Sequence, residues 1–190
     1  MFAAPRMEAF LVSTGVVALA EMGDKTQLLS LLLASRFRRP LPILLGILLA
    51  TILNHAFAGA VGMWVTHAVG ESVMRIVLAV SFFAMAVWTL IPDKAPLAET
   101  TASRLGIFGT TLIAFFVIEM GDKTQIATVA LAAQYDAFYS VVAGTTLGMM
   151  VANVPAVLLG ERATKVMPVR VLQRIAAALF AILGVVTLFT

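Results

Sequence analysis

Seven consecutive residues carry most of the chemistry open to this chain, and they occur twice. Glu21-Met22-Gly23-Asp24-Lys25-Thr26-Gln27 recurs letter for letter as Glu119-Met120-Gly121-Asp122-Lys123-Thr124-Gln125, 98 positions later. On a regular helix of 3.6 residues per turn, Glu21, Asp24 and Lys25 fall within an arc of roughly 100°. Gln27 widens that arc on the Asp24 side, and Gly23 lies nearly opposite. Glu119, Asp122, Lys123 and Gln125 make the same face in the second copy.

Together the copies hold four carboxylates and two ammoniums, a formal charge of −2. One divalent cation neutralises that charge, and so do two protons, so both loads compete for one set of oxygens. Carboxylate, amide and hydroxyl oxygens suit hard cations: Mg²⁺, Ca²⁺ and Mn²⁺. The chain has no cysteine and only two histidines, which excludes thiolate sites and argues against a zinc centre. Met22 and Met120 would favour Mn²⁺ over Ca²⁺ if they ligated. Each projects about 100° from its glutamate, and methionine in a membrane helix usually packs.

These charges are set in an apolar chain. Of its 190 residues 61% are hydrophobic and 12% charged, with a mean hydropathy of +1.02. Soluble domains carry about 45–50% apolar and about 25% charged residues. A soluble enzyme and a disordered chain are excluded. So is a nucleic-acid binder: the pI is near 9.7, but a net charge of +3 is thin for phosphate. The chain reads as an all-α integral membrane protein in a lipid bilayer.

A helix crosses hydrocarbon in about 20 apolar residues. Six stretches qualify, at 7–35, 41–66, 73–91, 105–134, 138–160 and 166–189. Ala18-Leu19-Ala20 imitates a signal-peptide cleavage site, but cutting there would discard half of the first span. Nine cations (Arg36, Arg38, Arg39, Lys94, Arg104, Arg162, Lys165, Arg170 and Arg174) follow spans one, three and five, against Arg6 and Arg75 on the other side. Positive residues stay cytoplasmic, so both termini should face outward.

The repeat extends beyond the motif. Gly46 pairs with Gly144, Asn54 with Asn153, and Gly62 with Gly160. The expected architecture is two three-helix repeats, 1–91 and 105–190, joined by a cytoplasmic linker at 92–104. Three is odd, so the second repeat is inverted, as in secondary transporters. Charges inside a membrane are costly, so the motifs must face each other or water.

Glu21, Asp24, Glu119 and Asp122 are the candidate metal ligands, with Gln27, Gln125, Asn54 and Asn153 as candidate neutral ones. Lys25 and Lys123, each four residues from its own glutamate and one from its own aspartate, are expected to balance charge. Thr26 and Thr124 lean towards a structural role. Gly23 and Gly121 permit either close packing or a break in the helix. His55 has no partner in the second half, Pro155 should kink span five, and Glu71 and Glu161 sit near the mouths.

The doubled Glu-x-Gly-Asp-Lys-Thr on spans one and four resembles the Gdt-type cation/proton exchangers of the calcium/cation antiporter group, which include bacterial MneA-type manganese exporters. The resemblance covers the whole chain. It implies export of Mn²⁺, or Ca²⁺, in exchange for protons, with no cofactor and no catalytic residue. It places the protein in a bacterial inner membrane and leaves room for a homo-oligomer. Rival readings are a Ca²⁺/proton exchanger, a broad divalent exporter, a small amino-acid exporter, a passive channel and an intramembrane metal-dependent hydrolase. The hydrolase would need a nucleophile or metal-bound water beside a substrate pocket, and in a phosphate-cleaving form membrane arginines as well, whereas every arginine maps to a loop or a span end.

Overall fold

The computed structural model describes residues 3–69, 71–91, 105–159 and 169–189. Gly70, the linker 92–104 and the segment 160–168, with Gly160, Glu161, Arg162 and Lys165, lie outside the described residues. The described residues form helices α1 (Ala3–Glu21), α2 (Lys25–Phe37), α3 (Pro40–Ala68), α4 (Glu71–Thr89), α5 (Gly106–Glu119), α6 (Lys123–Tyr135), α7 (Phe138–Leu159) and α8 (Val169–Phe189). In α3, α7, α8 and the Ser72–Thr89 part of α4, the helix is long and apolar enough to cross a membrane; α5 is a shorter apolar helix.

Two expected spans are not continuous helices. The stretch 7–35 breaks between α1 and α2, and the stretch 105–134 between α5 and α6. The cause is local. Gly23 and Gly121 adopt φ of +84° and +76°, a left-handed conformation that glycine enters without the steric cost of a Cβ. Asp24 and Asp122 follow in extended conformation, with ψ of 168° and 166°. An α-helix cannot pass through that pair, so the single polar helix face expected from the heptapeptide does not exist.

After each broken pair the chain turns sharply. Arg38 (φ 52°) and Asp136 (φ 46°) cap α2 and α6, and their N–H groups bond the carbonyls of Ala34 and Ala132. Pro40 then starts α3, where its missing N–H costs nothing and its fixed φ suits a first turn.

The packing repeats with the sequence offset. A Cβ on Gly46 would collide with the Phe108 carbonyl and Thr111 of α5; one on Gly144 would collide with the Phe10 carbonyl and Ser13 of α1. Each of the three partners differs from its counterpart by 98 positions. Small residues let helix backbones approach in a membrane, where lipid offers no hydrophobic drive to associate. Thus α1 runs along α7, α3 along α5 and α6, and α4 along α8. Pro155 lies inside α7.

Two apolar clusters result. The larger joins α1, α4, α6 and α8 with Val141 of α7, through residues such as Val16, Phe82, Leu131 and Phe180. The smaller joins α2, α3, α5 and α7 through Leu29, Leu33, Ile43, Ile47, Phe115 and Val157.

Candidate cation site

Each helix break places an aspartate at the N-cap of the next helix, yet neither Asp24 nor Asp122 caps it with its side chain. Both carboxylates instead reach the other copy. Lys123 Nζ is ion-paired with Asp24 Oδ1, and Lys25 Nζ lies 2.7 Å from Asp122 Oδ1. The lysines were expected to neutralise acids of their own helix. With the helix interrupted, they serve the opposite motif.

The glutamates and glutamines keep local geometry. Thr26 Oγ1 donates to Glu21 Oε2 at 2.5 Å, and Thr124 Oγ1 to Glu119 Oε2 at 3.3 Å. Gln27 Oε1 accepts the Gly23 N–H at 2.9 Å, and Gln125 Oε1 that of Gly121 at 2.6 Å. The glutamines therefore pin the breaks. Each amide nitrogen then ties its break to a neighbouring helix. Gln27 Nε2 donates to the Ala152 carbonyl at 3.0 Å, and Gln125 Nε2 to Asn54 Oδ1 at 3.5 Å.

Asn54 and Asn153 are not equivalent. Asn54 Nδ2 donates to the Phe116 carbonyl at 3.1 Å. Asn153 Oδ1 accepts from Ser30 at 2.6 Å, and its Nδ2 donates to the Met149 carbonyl at 3.0 Å. The contacts keep a register of 98, which sets Asn54 opposite Ala152 and His55 opposite Asn153. Pairing the two asparagines by residue type had shifted that register by one.

Glu21, Asp24 and Glu119 are fully buried, and Asp122 is 2% exposed. One ligand oxygen each from Glu21, Asp24 and Asp122 lie within 4.8 Å of one another. Twice a metal–oxygen distance of about 2.0–2.6 Å spans about 4–5 Å, so the three can share an Mg²⁺-, Mn²⁺- or Ca²⁺-sized ion after small movements. Glu119 is outside that three-oxygen group. Glu21 Oε1, Glu119 Oε1 and Asp122 Oδ2 are buried with no hydrogen-bond partner. Leaving such a group unsatisfied costs about 1–3 kcal/mol, and more when it is charged, so these oxygens call for a cation or a proton.

A family model described as the divalent cation/proton antiporter GDT1 matches residues 9–97 and 107–190. The chain belongs to the GDT1 family. Members of this family are transporters, not enzymes. A Vibrio cholerae protein named "Putative manganese exporter" is 50% identical over 184 residues, 96% of this chain and 92% of that protein. A GDT1-like protein of Synechocystis is 27% identical, covering 97% of this chain and 98% of its own length. A chloroplastic PAM71-homolog of Arabidopsis thaliana is 24% identical over the whole of this chain and 61% of that protein. No solved structure matches the chain.

Among the residues that sequence reasoning proposed in this GDT1 chain, the structure brings together Glu21, Asp24 and Asp122 with both lysines. Met120 is half-exposed, and its sulfur lies 3.9 Å from Gln125 Nε2. Sequence reasoning missed Ser30 and the carbonyls of Phe116 and Ala152. The hydroxyls of Ser30 and Thr128, 98 apart, were a usable signal for the first. Backbone carbonyls leave none.

Proposed function

We propose that this GDT1-family protein exports a divalent cation, Mn²⁺ foremost, in exchange for protons, with the ion held between the two motifs. The supporting observation is the buried group of Glu21, Asp24 and Asp122, whose oxygens lie within 4.8 Å of one another across the two copies. Glu119 completes the set of four acids. Their formal charge, offset by Lys25 and Lys123, leaves −2 to be balanced by one ion or two protons. A centre carrying neither load would hold two uncompensated charges in low dielectric, which suppresses uncoupled cycling. Gln27, Gln125 and Asn54 hold the breaks in place, and Asn153 steadies α2 through Ser30.

In this reading the bilayer is crossed six times, by α1 with α2, α3, α4, α5 with α6, α7 and α8. The halves 1–91 and 105–190 are inverted relative to each other, joined at 92–104. The setting is a bacterial inner membrane with both termini outside. The name of the Vibrio cholerae relative supports manganese as the cargo, and the oxygen donors suit Mn²⁺ and Ca²⁺ alike.

Purified protein in liposomes tests this. Mn²⁺ flux should follow an imposed pH gradient, with protons moving the opposite way, and equilibrium Mn²⁺ affinity should fall as pH falls because protons take the same oxygens. The log–log slope should reach at most two protons per ion. Ca²⁺ measured in parallel ranks the cargo. Flux indifferent to the gradient would make the protein a channel and overturn the reading.

A further inference from the structure

The two repeats are alike in sequence but not in what covers them. Helix α4 packs on α6, and α8 on α1, while α4 with α5 and α2 with α8 make at most marginal contact. The offset of 98 maps α4 onto α8, α6 onto α2 and α1 onto α5. Two docking faces therefore have counterparts that carry no helix among the described residues.

The α6 face towards α4 is covered: Ala130 is 3% exposed and Ala133 7%. Their counterparts on α2 are Leu32 and Ser35. Leu32 is 41% exposed. These two residues instead line a cavity of about 500 Å³, bounded on its other side by Val157, Leu158 and Leu159 of α7. The two glycine breaks show the same imbalance. Val169, at the start of α8, would collide with a Cβ on Gly23, whereas nothing approaches a Cβ on Gly121 within 4 Å.

We propose that the α2–α7 cavity is a vacant seat for α8, and that α4 and α8 move as one body between two docking positions. In the position seen, α4 sits on α6 and α8 on α1. In the other, α8 fills the α2–α7 cavity and α4 lies on α5, with its first turn over Gly121. The α4–α8 interface maps onto itself under the offset, so it survives the exchange unchanged. That interface is large and close, with Gly184 against the ring of Phe83. The inference rests on the antiport reading only in giving the movement a use: it covers the glycine break of one motif as it frees that of the other, around four acids that are buried in the position seen.

The absence of cysteine makes cross-linking direct. Leu78 and Ala133 line one cavity between α4 and α6; their counterparts 98 positions away are Ala176 and Ser35. Cysteines at Leu78 with Ala133, and separately at Ser35 with Ala176, are treated in liposomes with a short bis-methanethiosulfonate linker, which forms a reducible disulfide at each thiol as methanesulfinate leaves. Both pairs should link, with yields shifting in opposite directions between Mn²⁺ at high pH and metal-free buffer at low pH. Either link should cut transport at least tenfold, and reduction should restore it. The proposal is overturned if Ser35/Ala176 never links in protein that transports, or if linking Leu78/Ala133 leaves transport intact. Spin labels at the exposed residues Ser35 and Val171 give a second measure free of buried substitutions. Two distances whose populations shift with load are expected, and one fixed distance overturns it. Exchange of links in protein that moves no Mn²⁺ would uphold the two seats and sink the antiport reading alone.

Discussion

Two heptapeptides with the same seven letters occupy different surroundings, so the difference between them belongs to their neighbours. The Lys25 side chain is 25% exposed, and that of Lys123 is 1% exposed. Gly23 lies under Val169, and Gly121 is open. Gln27 ends on a backbone carbonyl, and Gln125 on the Asn54 side chain. What stays constant is the break itself: φ above +70° at glycine, extended aspartate, glutamine oxygen on the glycine N–H. The sequence specifies the break, and the tertiary setting decides how each break is used.

The acids should separate the copies most sharply. Asp24→Asn, Asp122→Asn and Glu21→Gln should each cut Mn²⁺ transport about a hundredfold or more, close to 3 kcal/mol of binding. Glu119→Gln, outside the three-oxygen group, should cost nearer tenfold, the scale of a supporting group. Equal losses at Glu21 and Glu119 in liposome flux would erase the distinction. Next come the lysines. Lys123→Met leaves Asp24 buried without its cation and should destabilise by about 3–5 kcal/mol. Lys25→Met, nearer to solvent, should lower the melting temperature in detergent less. Among the glycines, Gly121→Ala should cost about 1–2 kcal/mol from the left-handed backbone alone. Gly23→Ala should cost more, with part recovered by adding Val169→Ala. The smallest effect is Asn54→Ala, about 0.5–1.5 kcal/mol for a lost hydrogen bond. It should slow transport through the second motif's glutamine and leave the first intact.

Much of this was readable in advance. Exact duplication of Glu21–Gln27 predicts paired acids, and apolar stretches bounded by arginines and prolines locate α3, α4, α7 and α8 well. Spacing sets Lys25 beside the acids of its own motif, whereas its ion pair is with Asp122 of the other. Helical periodicity assumes the helix continues, and it says nothing once glycine adopts positive φ. Residue identity matches Asn54 to Asn153, one position off the offset of 98 that the motif sets. The contacts of Gly46 and Gly144 and of the two motif glutamines keep that offset and separate the asparagines. The exposed Leu32 on α2 was beyond reach: Leu32 and Ala130 are both apolar, and which of them is covered depends on where a remote helix docks.

The crossed ion pairs have an ancestral consequence. Each half holds the counter-charge that the other half needs, so neither can bury its aspartate alone without a large penalty. Because the two motifs are identical, a homodimer of a single half-length chain would make both pairs by symmetry. Gene fusion would then have kept both crossed pairs at the centre and freed the helices around them to diverge.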